Sequence, residues 1–455
     1  MQIIFFLKTL NDLKSYIFIF SIILAAPLNI DAFQLNFSPS ISINEEYTDN
    51  VFLSSHNVEH DYITSISPSI GLDFSTKRTN ALISYTPSFV FYSRYDENDT
   101  VRQRAQFSCR NALGKNTNII LNNSFVLTED PLDEEDIFLD TDESLAEPDT
   151  SIRQSREEYF TNTTTLDFTH QFGASNHFEL GALFRILEND DPLEEDSKEW
   201  GPSMGLSYQI IPGIDIDTEF SYRKNESSDS RNSEPDFNGS EDDLETWEGS
   251  IRINKIFTRH FTSYIEYNHT IANYDGDRED YEVYEPLMGI RYTIAENTYI
   301  NIGIGYFIQE RETSSGEEGF SIDGDIGKTF EFKRGSINLT GSSGQHSSDF
   351  GSENNGFSIY YQVQSTGEYS LTERIRTNAR FSFREEKYTD LDDDKTDKTT
   401  KVSAGISYAP KKWLFLNLDY SYNTVDSTDN NDEYDENSAM FTVTLSPPRH
   451  YRLIK

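Results

Sequence analysis

The residues of this chain that could do chemistry are charges set an even number of positions apart. Arg102, Arg104 and Arg110 share one parity, and Arg374, Arg376, Arg380 and Arg384 form a longer run. Asp215, Asp217 and Glu219, and Asp323 with Asp325, are acids in the same spacing. In an extended chain, residues two apart point to one face, so these groups make charged ladders. A ladder can line a polar passage, where its field selects ions, or it can pair with a neighbouring strand and stiffen a wall. One set of side chains can do both.

Other chemistry is poorly furnished. The chain has no Gly-x-Ser-x-Gly elbow and no His-Glu-x-x-His pair. Gly327, Lys328 and Thr329 echo the end of a phosphate loop, but Ile322 stands where the first glycine should be, and the segment reads as a strand. His170, His177, His260 and His269 each fall near a strand end or a turn. Cys109, the single cysteine, rules out an internal disulfide framework. It shares the apolar parity of Ala105 and Phe107, as a small buried apolar residue would. Asp390, Asp392 and Asp394 offer oxygen ligands but lack the glycine and distal glutamate of a calcium loop. They read as a solvated rim that divalent cations screen loosely. No catalytic residue, metal ligand or cofactor is assigned.

Ladders need strands to carry them. Residues 281–312 show how: Tyr284, Pro286, Met288, Ile290, Tyr292 and Ile294 hold one parity, Glu285, Arg291 and Thr293 the other, and the pattern resumes at Ile300, Ile302, Ile304, Tyr306 and Ile308. Between them Ala295, Glu296 and Asn297 suffice for a tight turn. Each arm exceeds the ~9–11 residues with which a tilted strand crosses a bilayer. The motif recurs around Gly71, Gly205, Gly289 and, more faintly, Gly405. The intervals suit about three, two and three units of roughly forty residues, each a hairpin and its loop.

The same alternation predicts strands over 35–52, 62–76, 81–95, 101–113, 117–128, 159–172, 177–188, 200–211, 214–223, 244–257 and 261–274 before the hairpin. After it come 320–332, 336–345, 357–369, 375–386, 402–408, 413–424 and 439–446. Short connections such as Pro212 with Gly213 interleave with long acidic ones; residues 129–149 hold eleven acids and no base. Residues 225–243, 389–398 and 426–436 are similar. Short turns are expected in the periplasm and long loops outside.

Composition agrees with one-sided strands. Hydrophobic residues make up 36% of the 455, and the net charge is -40, values that usually mean disorder, yet 32 Phe and 26 Tyr sit at strand parity. A barrel whose lumen is polar needs only one apolar face per strand. Residues 1–32, with Lys8 and Lys14 ahead of an apolar core at 17–26 and Ala32 at the end, are expected to be a secretory signal peptide. Residues 33–455 are then the barrel domain.

Two stretches resemble a known family. Ile41 to Leu53 with Asp61 to Pro68, and the closing Met440 to Pro448, are similar to the ends of the outer-membrane proteins grouped as "beta-barrel porin 2". The resemblance implies an outer-membrane location in a Gram-negative bacterium, a transport role and a link to exopolysaccharide export, and it brings no catalytic residues. The last residues, Tyr451 to Lys455, depart from the terminal aromatic common in barrels. The expectation is an all-β protein: a single closed antiparallel transmembrane β-barrel of about twenty strands, within roughly 18–22. It is expected to be a porin-like channel for hydrophilic solutes and not an enzyme, with the four ladders as pore lining. The alternatives are a non-conducting structural or adhesive barrel and a barrel hydrolase. Expected partners are outer-membrane lipid and lipopolysaccharide, the barrel assembly machinery and polysaccharide export components, with no nucleic acid.

Overall fold

β-Branched and aromatic residues on one parity, with Ser, Thr, Asn and charges on the other, favour pleated strands that are apolar on one side only. The computed structural model describes residues 33–130, 156–190, 196–228, 243–275, 278–295, 297–313, 316–348, 356–388, 395–428, 433–448 and 451–454. The expected leader at 1–32 and most of the acidic connections lie outside these residues.

The chain runs through β1 (Gln34–Thr48), β2 (Asp61–Ser75), β3 (Thr79–Tyr92), β4 (Thr100–Ala112), β5 (Thr117–Thr128), β6 (Tyr159–Gln171) and β7 (His177–Asn189). It continues through β8 (Asp196–Ile211), β9 (Ile214–Ser228), β10 (Asp243–Ile256), β11 (Phe261–Asp275), β12 (Tyr281–Ala295), β13 (Thr298–Arg311) and β14 (Glu318–Phe332). The last group is β15 (Gly335–Ser348), β16 (Gly356–Ser370), β17 (Ile375–Tyr388), β18 (Lys395–Lys411), β19 (Leu414–Ser427), β20 (Tyr434–Leu445) and β21 (Tyr451–Ile454).

Neighbours in sequence pair antiparallel from β1 to β20, and the sheet closes where β1 meets β20, Ile41 opposite Leu445 through Thr48 opposite Ser438. β21 continues the line of β20 along β1, with Tyr451 opposite Phe37. The break between them contains Pro447 and Pro448, which have no N–H to give the ladder. The barrel therefore has 20 staves, and closure leaves it no unpaired long edge.

Directly opposed residues share a face, so the register carries one parity around the ring. Ile43, Ile66, Met288, Ile304, Val363 and Leu418 are exposed on the outer side. So broad an exposed apolar band does not suit a protein surrounded by water. Among the described residues no helix is long and apolar enough to cross a membrane. The repeated glycines fall on β2, β8, β12 and β18, all on the inner face. Their intervals of six, four and six strands are three, two and three hairpins. In the two-residue turn after β8, Gly213 adopts φ 83°, a conformation with no Cβ penalty only for glycine.

Several strand limits differ from the sequence reading, most widely at the long-connection rim. β8 begins at Asp196, β9 runs on to Ser228, β18 begins at Lys395 and β20 at Tyr434. There the inward residues include Lys395, Asp397, Ser427 and Glu436, all buried, so the strand continues without the apolar signal that marks it lower down. The converse holds at Val51, Phe52 and Leu53. This apolar run reads as the end of a strand, but β1 stops at Thr48 and the run turns inward, with Leu53 at φ 47° and Val51 and Leu53 fully buried.

Candidate functional site

The inner wall is built by parity. Arg102, Arg104 and Arg110 project from β4 on the face of Ser88, Thr86 and Asn80. Asp215, Asp217 and Glu219 on β9 oppose Asn254, Arg252 and Ser250. Asp323 and Asp325 on β14 oppose Gly303 and Asn301. Arg376, Arg380 and Arg384 on β17 oppose Ser370, Thr366 and Gln362. Arg374 is different: it stands in the exposed turn before β17, off the strand ladder. The sequence fragment Gly327, Lys328, Thr329 lies within β14, where Lys328 Nζ donates to Thr298 Oγ1 at 2.5 Å.

The ladders do not pair as blocks. Asp217 accepts from Ser207 Oγ at 2.7 Å and Asn254 Nδ2 at 2.6 Å, and Asp325 accepts from Asn301 Nδ2 at 3.0 Å. Arg384 donates to Glu386 Oε2 at 2.8 Å and stacks 4.4 Å from the Tyr360 ring centroid. Arg376 and Arg380 are exposed and make no hydrogen bond or ion pair among the described residues. Acids gather on β9 to β14, where Glu248, Glu266 and Glu285 join those named above, and exposed inward arginines stand on β4, β12 and β17 at Arg110, Arg291, Arg376 and Arg380.

Several wall residues were not singled out by sequence. Arg252 grips Glu266 with two bonds, Nε to Oε2 at 2.8 Å and Nη2 to Oε1 at 3.0 Å, and Glu285 accepts from Asn268 Nδ2 at 2.9 Å and from Ser321 Oγ. All are at inward parity, so alternation alone could have found them. Glycines let aromatic rings lie flat on the wall. A Cβ on Gly289 would meet Tyr264 Cζ at 2.2 Å, one on Gly327 would meet Tyr299 Cε1 at 2.3 Å, and one on Gly319 would meet Phe307 Cε1 at 3.0 Å.

The two ends of the wall differ. Toward the short turns, inner residues such as Arg110, Gln364, Glu368 and Arg376 are exposed. Toward the long connections they are buried around the ring, from Thr48 and Thr128 through Ser197, Thr246 and Val283 to Ser358 and Val425. One described cause is the inward turn after β1. Val51 packs with Ile63, Val90 and Tyr92, and Leu53 with Val425 and Tyr434.

Arg156, just before β6, holds that turn. Its Nε donates to the Val51 carbonyl at 2.8 Å and its Nη1 to Asp130 Oδ1 at 3.2 Å. Tyr92 Oη donates to Glu129 Oε1 at 2.6 Å, and Arg102 Nη2 meets the same oxygen at 2.6 Å. Burial opposes the Arg156 charge, but Asp130 first and then Tyr92 and Glu129 hold the guanidinium above its ordinary range, so it stays protonated. These partners are far apart in sequence, and no local pattern announces them.

No group of three His, Cys, Asp or Glu among the described residues is placed to hold a metal. Asp390, Asp392 and Asp394 lie outside those residues. Cys109 is half-buried, opposite Ala81 and Leu121 on the outer face. His170 bonds Thr117 Oγ1 at 2.8 Å near the short turns, and His269 stacks on Tyr284 at 4.7 Å.

Among solved structures, the iron transporter FrpB from Neisseria meningitidis (F5-1 variant) is similar at 9% identity, covering 90% of this chain and 82% of its own, with a TM-score of 0.52. Its apoprotein form gives a TM-score of 0.51 at 9% identity, over 90% of this chain and 81% of that one. The siderophore receptor PirA from Pseudomonas aeruginosa covers 90% and 80% at 8% identity, with a TM-score of 0.48. At such identities the FrpB likeness is one of fold alone, a closed antiparallel β-barrel. A comparison with curated protein sequences finds no match. Residues 334–446, which span β15 to β20, match the family described as "Putative beta-barrel porin 2".

Proposed function

We propose that this chain is a channel in the outer membrane of a Gram-negative bacterium and passes small hydrophilic solutes through its lumen. The observation that carries this is the inner wall. Toward the short turns it is mostly polar and charged, and its ladder residues Arg110, Arg376, Arg380 and Glu219 are exposed there. A barrel that only anchors loops has no use for unengaged charge facing inward. The wall residues Arg102, Arg104, Arg110, Asp215, Asp217, Glu219, Asp323, Asp325, Arg376, Arg380 and Arg384 are the pore lining in this reading, and Arg374 marks its entrance. The short turns face the periplasm and the long acidic connections the medium. Resemblance to the porin family suggests a glycan in export as one class of cargo.

The burial of inner residues at the long-connection rim favours a second reading, a barrel closed at that mouth that only displays its loops. Conductance of the purified full-length protein in a planar bilayer separates the two. Stable steps that fall when glucose polymers fill the lumen support the channel. A heat-modifiable, folded barrel that never conducts, in wild type or after removal of the 49–60 connection, overturns it.

A further inference from the structure

We propose that the wall of β9 to β14 holds a binding subsite for a solute bearing an ammonium or guanidinium group, set between the phenol of Tyr264 and the carboxylates of Asp323 and Glu285. The subsite rests on the channel reading and names a class of cargo for it.

Six inner residues lie directly opposite one another across these strands: Asp215, Asn254, Tyr264, Gly289, Gly303 and Asp323. The two glycines leave a trough in the row. The Tyr264 ring crosses Gly289, and its Oη stands 3.0 Å from where a Cβ on Gly303 would be. The phenol is thus aimed along the row toward Asp323. Tyr264 is only 4% exposed, and its Oη has no hydrogen-bond partner. A buried hydroxyl without a partner is costly, and a ligand that supplies one removes the cost.

Three further orphans in or beside this row are acceptors. Asn254 Oδ1, Asn301 Oδ1 and Asp215 Oδ1 are buried acceptors without a donor. The amide nitrogens beside two of them are already used, Asn254 on Asp217 at 2.6 Å and Asn301 on Asp325 at 3.0 Å. Inward acids on these strands outnumber the inward arginines, Arg223, Arg252, Arg291 and Arg311, so the complement of the row is a cation that carries several N–H groups.

The wall already accommodates one such group, its own. The Arg252 guanidinium lies 4.7 Å from the Tyr264 ring centroid and is bound twice by Glu266. That pairing neutralises Glu266. It leaves Glu285, which accepts only from the neutral Asn268 and Ser321, and Asp323, within electrostatic reach of Glu285. A bare metal fits less well, because the acceptors are strung along a row and no described trio converges.

The test uses the refolded full-length barrel in detergent, titrated calorimetrically with 1,4-diaminobutane, guanidinium chloride, calcium chloride and glucose, with channel block in a bilayer as second readout. Diaminobutane and guanidinium should bind, and Tyr264→Phe and Asp323→Asn should each weaken binding by about tenfold or more, the loss of one charge-assisted contact. Asp73→Asn, on a distant stave, should leave binding unchanged. Binding equal in all variants, or binding of calcium in place of the amines, overturns the subsite. Conductance without amine binding overturns the subsite alone. Amine binding that Tyr264→Phe weakens, in a barrel that never conducts, supports the subsite and overturns the channel.

Discussion

At the scale of single residues, the wall depends on which face a side chain takes. Ile304 is 57% exposed on the outer face, whereas Gln364 is exposed on the inner one. Ile304→Arg should cost about 2–4 kcal/mol in lipid, while Gln364→Arg should fold nearly normally. Urea titration of the heat-modifiable band in both variants checks this, and equal losses would mean that the register is wrong. Gly289 is a second sensitive point. Its Cβ would collide with Tyr264 Cζ at 2.2 Å and the Ile302 carbonyl at 2.6 Å, so Gly289→Ala should lose about 1–3 kcal/mol by overpacking. Tyr264→Ala should restore part of that loss. The equivalent glycines are not all so tight: a Cβ on Gly71 meets nothing nearer than 3.6 Å, and nothing in the structure explains glycine there.

At the scale of elements, the turn after β1 is held by contacts that bypass the strand ladder. Asp49 accepts from the Asn437 backbone at 2.7 Å, Asn50 Nδ2 donates to the Asp435 carbonyl at 2.8 Å, and Arg156 caps Val51. The turn thus spans the seam where β1 meets β20. Removing the buried Arg156 charge as Arg156→Ala leaves Asp130 short of a partner and should cost roughly 3–5 kcal/mol. Hydrogen exchange should show the Val51 and Leu53 amides opening while the β1 ladder stays protected. If the channel reading holds, the same variant should conduct more than wild type. Protection unchanged at both amides would show that Arg156 does not hold the turn.

At the scale of the whole molecule, charge is divided between rim and wall. The chain carries -40 overall, much of it in the long connections, whose field fades beyond a Debye length of about 8 Å at physiological salt. Inside, low-dielectric walls focus the field of Arg376 and Arg380 on one side and of the β9 to β14 acids on the other. Reversal potentials should therefore show cation preference in dilute salt that shrinks as salt rises. A preference that persists in molar salt, unchanged by Arg376→Gln with Arg380→Gln, would place those arginines off the permeation path. Orientation has its own test in a Cys109→Ser background. Cysteines at Glu97 and Thr313 on the long-connection rim should react with an impermeant maleimide on intact cells, and ones at Lys115 and Lys333 should not. The reverse pattern would invert the rims.

Much of this molecule was legible in order along the chain. Alternation alone determined the staves, their hairpins, the repeat interval of the glycines and, Arg374 apart, the inward face of the ladders, because a strand reports its two faces every second residue. It also predicted the short turns, whose Pro212 and Gly213 need no distant partner. Tertiary structure decided what depends on residues brought together across the ring. The apolar Val51 and Leu53 became a buried plug because Arg156 and Tyr92 lie beside them, and β18 and β20 lengthened because polar Lys395 and Glu436 are buried by neighbours. The trough at Gly289 and Gly303 exists only when Tyr264 is opposite, and closure itself is a contact between the two ends of the chain. Local periodicity is fixed by backbone geometry, whereas burial at the mouth and the meeting of β1 with β20 are set by closing the whole ring.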